Sequence, residues 1–473
     1  MTRKNETIVL ILALFIALGL LGIGAWLVRN FVLPENPVSP TASTTPVKPT
    51  LPAISEQISF GEKTLMPGKV LPAKQAGLEA IAQGKWNDAV ANLQQAIAQN
   101  RNDPESLIYL NNAKIAGQKS YAIATSVPIG TTPNGSLEVL RGIAQAQNEI
   151  NQTGGINGIP LKVAIANDNN QEDQAKQIAE ALVNNPEILG VVGHWASQVT
   201  LATAPIYNTG KLVAISPVST SVKLSGIGPY IFRTVPSDYV AARALANYML
   251  TKLQKKNAAV FFHPQSAYSQ SLKSEFVTAV LLGGGQVTAE FDLSDPNFSP
   301  ASSINQAIKQ GAEVLMLAPN TGPNTIVIDK ALQVVQVNQK RLKLLGGDAI
   351  YTPTTLEVGG EAAVGMVVAV PWDIETNSQS QFVRQTKQLW GGEVNWRTAL
   401  AYDAARALIA AIQKSPTRQD IQQALSASDF STTGAAGTIQ FLPSGDRNAA
   451  VQLVEIVSSV NSSTGYDFIP VRQ

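Results

Sequence analysis

The chain has 473 residues, 45% of them apolar and 15% charged, with a formal net charge of +1, two histidines and no cysteine. Such a composition describes two to four folded domains at roughly 100–200 residues each rather than a disordered polymer. It excludes disulfides, thiolate chemistry and a lipidated cysteine, argues against nucleic acid as partner, and offers no metal-ligand pattern, so no cofactor is expected.

The first element is an uncharged run, Thr7–Val28, of 22 residues. As a helix it spans about 33 Å, enough for a bilayer core. Arg3 and Lys4 precede it, which predicts a signal-anchor over residues 1–30 in the cytoplasmic (inner) membrane, single-pass, with the bulk of the protein on the periplasmic or extracytoplasmic side. A cleaved signal peptide is the rival reading, against which stand the length of the run and the lack of an A-x-A site after it. Residues 31–67 include "PENPVSPTASTTPVKPTLP", a Pro/Ser/Thr-rich linker whose composition holds it extended. Over 68–118, Gly77, Gly84, Trp86, Ala89, Leu93 and Ala96 keep the spacing of a tetratricopeptide-like (TPR-like) helical hairpin, and Asn102-Asp103-Pro104 opens a further helix. Both a self-packing spacer and a partner-binding module fit this segment.

From 119 to 473 the texture is α/β. "YAIATSVPI", "LKVAIAN", "ILGVVGH", "LVAISP", "AAVFFHP", "VLMLAP", "LKLLGGD" and "MVVAVPW" read as strands buried on both faces, alternating with amphipathic helices. That is too much for one sheet, so two doubly wound parallel-sheet lobes are expected. Lobe 1 is placed at about 119–238 and 370–446, and lobe 2 at about 239–369 and 447–473.

In open α/β sheets ligands bind beyond the carboxyl ends of the strands. After "ILGVVGH" come Trp195 and Ser197, the latter placed at the N-cap of the next helix, where hydroxyl, free N–H groups and helix dipole suit a carboxylate. After "LVAIS" comes the hydroxyl-rich "PVSTS" with Ser219 and Thr220; Tyr268, Asp348 and Tyr351 follow later strands. Donors for a carboxylate, an acid for an ammonium and aromatic walls are the complement an α-amino acid needs. His194 beside Ser197 also suggests a nucleophile and its base, but no G-x-S-x-G elbow surrounds the serine.

These segments have a recognisable order. "GIAQAQNEINQTGGINGIPLKVAIANDNNQEDQA", "VVGHWASQVTLATAPIYNTGKLVAISPVSTS", "IFRTVPSD" and "WRTALAYDAARALIAAI" resemble the type I periplasmic solute-binding proteins of branched-chain amino acid ABC transporters, over about three quarters of the chain. The resemblance implies the two-lobed type I fold with a hinge and no enzymatic activity. By position, it implies that Ser197 and Thr220 bind the ligand carboxylate, that the Val218 carbonyl faces the ammonium, that Tyr268 closes from lobe 2, and that Asp348 faces the ammonium. Gly135, and the loop around Asn320, lack the aromatics common in leucine-type binders, so Trp195 and Trp372 are the candidates to supply that surface. Uncharged walls near Trp195 and Tyr268 favour a neutral or apolar ligand side chain. The expected function is a membrane-anchored receptor closing its lobes on an amino-acid-like solute, for an ABC permease or a sensory partner. The alternative is a ligand-free docking scaffold of the cell envelope, such as an activator of peptidoglycan synthesis.

Overall fold

The computed structural model describes residues 53–320 and 326–471. The anchor expected at Thr7–Val28 and the linker as far as residue 52 lie outside this range. Among the described residues no helix is long and apolar enough to cross a membrane.

Two sheets organise the chain. The first contains β1 (Ile58–Ser59), β2 (Tyr121–Val127), β3 (Leu161–Asn167), β4 (Ile188–Val192), β5 (Ala214–Ser216) and β6 (Ile231–Arg233), in the order β1-β3-β2-β4-β5-β6. The second contains β7 (Asn257–Phe262), β8 (Gln286–Asp292), β9 (Val314–Ala318), β10 (Lys343–Gly346) and β11 (Val367–Val370). A hairpin, β12 (Thr432–Gly434) with β13 (Gly437–Ile439), stands apart, and β14 (Gln452–Ser458) and β15 (Tyr466–Pro470) complete the second sheet as β15-β14-β11-β10-β9-β7-β8. Within each sheet, five parallel strands share one order, so each lobe has a switch point beside its first strand, β2 or β7.

All eight apolar runs are strands, because a segment buried on both faces needs no polar alternation. The sheets are mixed rather than purely parallel. β1 joins β3 antiparallel, and β14 and β15 add an antiparallel edge beyond β11. β8 escaped the apolar pattern because it is an edge strand whose residues stay half exposed.

The expected linker also ends earlier than residue 67. Ile54–Gln57 forms a short helix leading into β1, and the Gln57 side-chain carbonyl accepts hydrogen bonds from Asn167 and Gln174 at 3.3 and 3.0 Å. Beyond it, Glu105 is fully buried. Its carboxylate pairs with Lys74 at 2.7 Å and accepts bonds from the Thr64 hydroxyl (2.6 Å) and the Leu65 amide (2.7 Å). That network fixes the loop before the helices instead of leaving it extended.

The helices Pro72–Ala82 and Trp86–Gln99 pack together where Gly77 leaves room for Leu93: a Cβ on Gly77 would lie 2.7 Å from Leu93 Cγ. The third helix, Pro104–Lys114, is buried over almost its whole length and joins lobe 1 directly. Its Asn112 amide donates to the Phe60 and Val163 carbonyls, both at 2.8 Å, while its side-chain oxygen accepts from the Val163 amide at 3.1 Å. One side chain thereby satisfies β3 much as a neighbouring strand would.

The chain crosses from lobe 1 to lobe 2 between β6 and the helix Asp238–Asn247, and returns after β11. The returning helix Trp396–Lys414 packs on Pro133–Gln152. Gly142 permits this close crossing, since a Cβ there would collide with the Thr398 carbonyl.

Candidate functional site

A cleft holding about 410 Å³ of space not filled by atoms, partly open to solvent, lies between the strand ends of the two lobes. Lobe 1 contributes Trp195, Ala196, Ser197 and Gln198 after β4, and Val218 after β5. Lobe 2 contributes Ser266 and Tyr268 after β7, Asn320 after β9, and Asp348 and Ala349 after β10. Trp396 and Arg397 enter at the start of the returning helix.

Ser197 lines this cleft as the first residue of the helix Ser197–Thr209; Ala196, not Ser197, is the N-cap. The Ser197 hydroxyl does not cap its own helix. It accepts from the Ser221 amide at 3.3 Å and remains free to donate to an anion. Ser219, by contrast, is consumed by the fold: its hydroxyl donates to the Trp195 carbonyl at 3.0 Å and meets the Thr200 hydroxyl at 2.8 Å. Thr220 is buried, with its hydroxyl beside the Asp238 carboxyl.

His194 is not a base for Ser197. Its Nδ1 lies 2.6 Å from an Asp168 carboxylate oxygen and its Nε2 lies 3.0 Å from the Tyr207 hydroxyl, all within the core of lobe 1. With both ring nitrogens engaged by Asp168 and Tyr207, neither is left to take the serine proton. His263, in lobe 2, has its Nδ1 2.8 Å from the Asn320 side-chain oxygen and thereby holds that cleft residue in place.

On the lobe 2 side, the Tyr268 hydroxyl donates to Asp348 at 2.6 Å. Burial raises the Asp348 carboxyl above its ordinary range, opposed by that hydrogen bond and by the charge of Arg397. Burial, then the Asp348 and Asp238 charges, push the Tyr268 phenol well upward, so it serves as a donor and not as a base.

Besides Thr220, which does not line the cleft, two of the expected site residues are placed elsewhere. Tyr351 follows a short turn, Asp348–Ile350, that aims its ring at Phe468, 4.4 Å away between centroids; it packs on β15 and does not line the cleft. Trp372 is buried edge-on against Phe382 at 6.0 Å, also away from the cleft. Trp195 does supply a wall. A Cβ on Gly135 would lie 2.5 Å from the Trp195 ring, so the glycine leaves the space that the indole fills.

Trp396, Arg397 and Asp238 are among the residues that escaped the sequence reading. Trp396 and Arg397 open a long helix, and a basic residue in the first turn opposes the helix dipole, which was the available signal. Asp238 starts the helix after the first crossing, its amide donating to the Thr220 carbonyl at 2.8 Å. Burial pushes its carboxyl up to about 7, opposed by the Ser271 and Thr220 hydroxyls beside it. The expectation of uncharged walls therefore fails at Arg397, whose guanidinium lies over Trp396 (4.3 Å) and Trp195 (5.3 Å).

Comparisons with known proteins place the chain among binding proteins of the same fold. An "Amino acid binding protein" of Pseudomonas aeruginosa is 30% identical over 233 residues, 46% of this chain and 61% of that protein, so the match spans less than two thirds of that relative. A "Leu/Ile/Val-binding protein" of Escherichia coli K12 is 24% identical, covering 62% of this chain and 78% of its own. Among solved structures, a substrate-binding protein of Desulfitobacterium hafniense in complex with Leu superposes with a TM-score of 0.62 at 23% identity, over 74% of this chain and all of that one. A leucine binding protein of Thermotoga maritima gives 0.64 at 23% identity, over 74% and 97%. The family model described as "Periplasmic binding protein" matches residues 129–463, which takes in β3 to β14 and every residue of the cleft. The chain therefore belongs to the periplasmic binding protein family, whose members are solute receptors and not enzymes.

Proposed function

We propose that the protein is a membrane-anchored extracytoplasmic receptor that closes two lobes around an amino-acid-like solute and presents the closed state to an ABC permease or a sensory partner. The observation that carries this reading is the pairing of Ser197, at a helix N-terminus on lobe 1, with the Tyr268–Asp348 couple on lobe 2 across one cleft. An α-carboxylate is received by the Ser197 hydroxyl and the first N–H groups of its helix. Asp348, already held by Tyr268, receives the ammonium. Because the two ends of the solute bind different lobes, occupancy stabilises the closed arrangement.

The uncharged run Thr7–Val28 supports the anchor, and the helices over 72–114 support a TPR-like segment acting as a structural extension of lobe 1. The docking-scaffold alternative finds no support in the relatives, which are named as binding proteins for amino acids.

Calorimetry of the full-length chain against a panel of amino acids, their amides and small carboxylates tests the proposal. Binding is expected to vanish in the double variant Ser197→Ala, Asp348→Ala. Heat that survives both changes refutes the site. Thermal shift gives an independent readout, since a solute at 100 times its Kd stabilises the fold by about 2.7 kcal/mol, whereas a scaffold shows none.

A further inference from the structure

Arg397 has no task in holding a simple α-amino carboxylate. It is 5% exposed, lines the cleft, and is the second residue of the helix Trp396–Lys414. The carbonyls of Tyr351 and Asp348, each 3.5 Å from the guanidinium, are at the outer limit of a hydrogen bond, and Nε has no partner among the described residues. No described carboxylate stands within ion-pair distance. The two acids whose fields reach it are engaged elsewhere: Asp348 by Tyr268 at 2.6 Å, and Glu138 by Arg141 and the Thr398 hydroxyl, both at 2.7 Å.

A buried guanidinium with weak partners is costly, and its place at a helix N-terminus adds to that cost. The fold nevertheless holds it firmly. Trp195 and Trp396 flank it, and two indoles beside a guanidinium limit its motion while its planar fork keeps the geometry for bidentate recognition of a carboxylate. Three helix starts border the same cleft, at Ser197, at Ser266 and at Trp396, each with its positive end toward the space between the lobes. Among the described lining residues, Arg397 is the one cation and Asp348 the one acid.

A neutral zwitterion pairs its ammonium with Asp348 and its carboxylate with the Ser197 helix, and leaves Arg397 unmatched. A solute carrying one further carboxylate matches every charge. We propose that Arg397 is the specificity-determining residue and that the solute is an α-amino dicarboxylic acid of the aspartate or glutamate class. This inference rests on the amino-acid reading of the cleft.

Isothermal calorimetry of the full-length chain with L-glutamate, L-aspartate, L-glutamine and L-leucine tests it. One of the two dicarboxylates is expected to bind at least tenfold more tightly than glutamine or leucine. In Arg397→Gln that preference is expected to disappear, and in Arg397→Lys to be kept in part. If Arg397→Gln does not fold, the ratio measured on the unaltered protein decides alone. Glutamine or leucine binding as tightly as both dicarboxylates, with loss on Ser197→Ala, overturns the role of Arg397 while leaving the amino-acid receptor intact. Absence of heat with all four overturns both.

Discussion

Asp238 shows how a single buried carboxylate writes a pH dependence into the molecule. Its ordinary value of 3.8 applies in the unfolded chain, and burial raises it to about 7 in the fold, so the folded state binds the proton more tightly. The contribution to stability is therefore full below about pH 4 and is lost as the pH rises to about 7. Asp238→Asn removes that loss. The variant is expected to match the parent near pH 4 and to exceed it at pH 8 by at most a few kcal/mol, at about 1.4 kcal/mol per pH unit. Denaturant midpoints measured across that range check this, and a constant difference at every pH refutes it. At Gly135 the same scale gives a packing prediction. Gly135→Ala drives a methyl into the Trp195 ring, so a destabilisation of about 1–3 kcal/mol and weaker solute binding are expected, read by thermal unfolding and calorimetry.

Among elements, the helix Pro104–Lys114 joins the N-terminal helices to lobe 1. Asn112 bonds to Phe60 and Val163 at once, and Gln147 donates to it at 2.9 Å. Asn112→Ala strands those groups together, with an expected loss of about 2–4 kcal/mol in urea unfolding. Because Leu78, Leu93, Ile108 and Tyr109 share one apolar core with β2 and β3, these helices are expected to unfold together with lobe 1. A separate early transition for residues 72–114 would show that this helix does not couple them. The sequence disclosed these helices through Gly77, Leu93 and the Asp103-Pro104 start. Nothing in it disclosed that Asn112 would face β3, because a hydrogen bond between residues 51 positions apart has no local pattern.

At the scale of the molecule, closure depends on contacts that cross between lobes. The Val222 amide of lobe 1 donates to the Ser271 hydroxyl of lobe 2 at 3.0 Å, beside Asp238. A hydrogen bond of this kind is worth about 1 kcal/mol. Ser271→Ala is expected to weaken solute affinity about three- to tenfold by shifting the balance toward open forms, with the ranking of solutes unchanged. A changed ranking would mean that Ser271 touches the solute. The legible part of the site was the part carried by strand ends: Trp195, Ser197, Val218, Tyr268, Asn320 and Asp348 all line the cleft. Tyr351 and Trp372 were misplaced because which way an aromatic turns after a strand depends on partners such as Phe468 and Phe382, distant in sequence.

Local chemistry determined the eight buried strands, the alternation that makes two sheets, and the loops that bear polar groups, since periodicity and turn residues act within a few positions. The tertiary structure alone decided three things. It turned His194 away from Ser197 and into a pocket with Asp168 and Tyr207, so the apparent dyad is a core contact. It placed Asp238 among Thr220, Ser271 and Arg233 at the crossing between lobes. And it carried Arg397, about two hundred residues after Trp195, onto that indole in the cleft. Each outcome is a matter of burial and long-range proximity: the energy of a charge or a ring nitrogen is set by neighbours that the fold, and not the adjacent sequence, supplies.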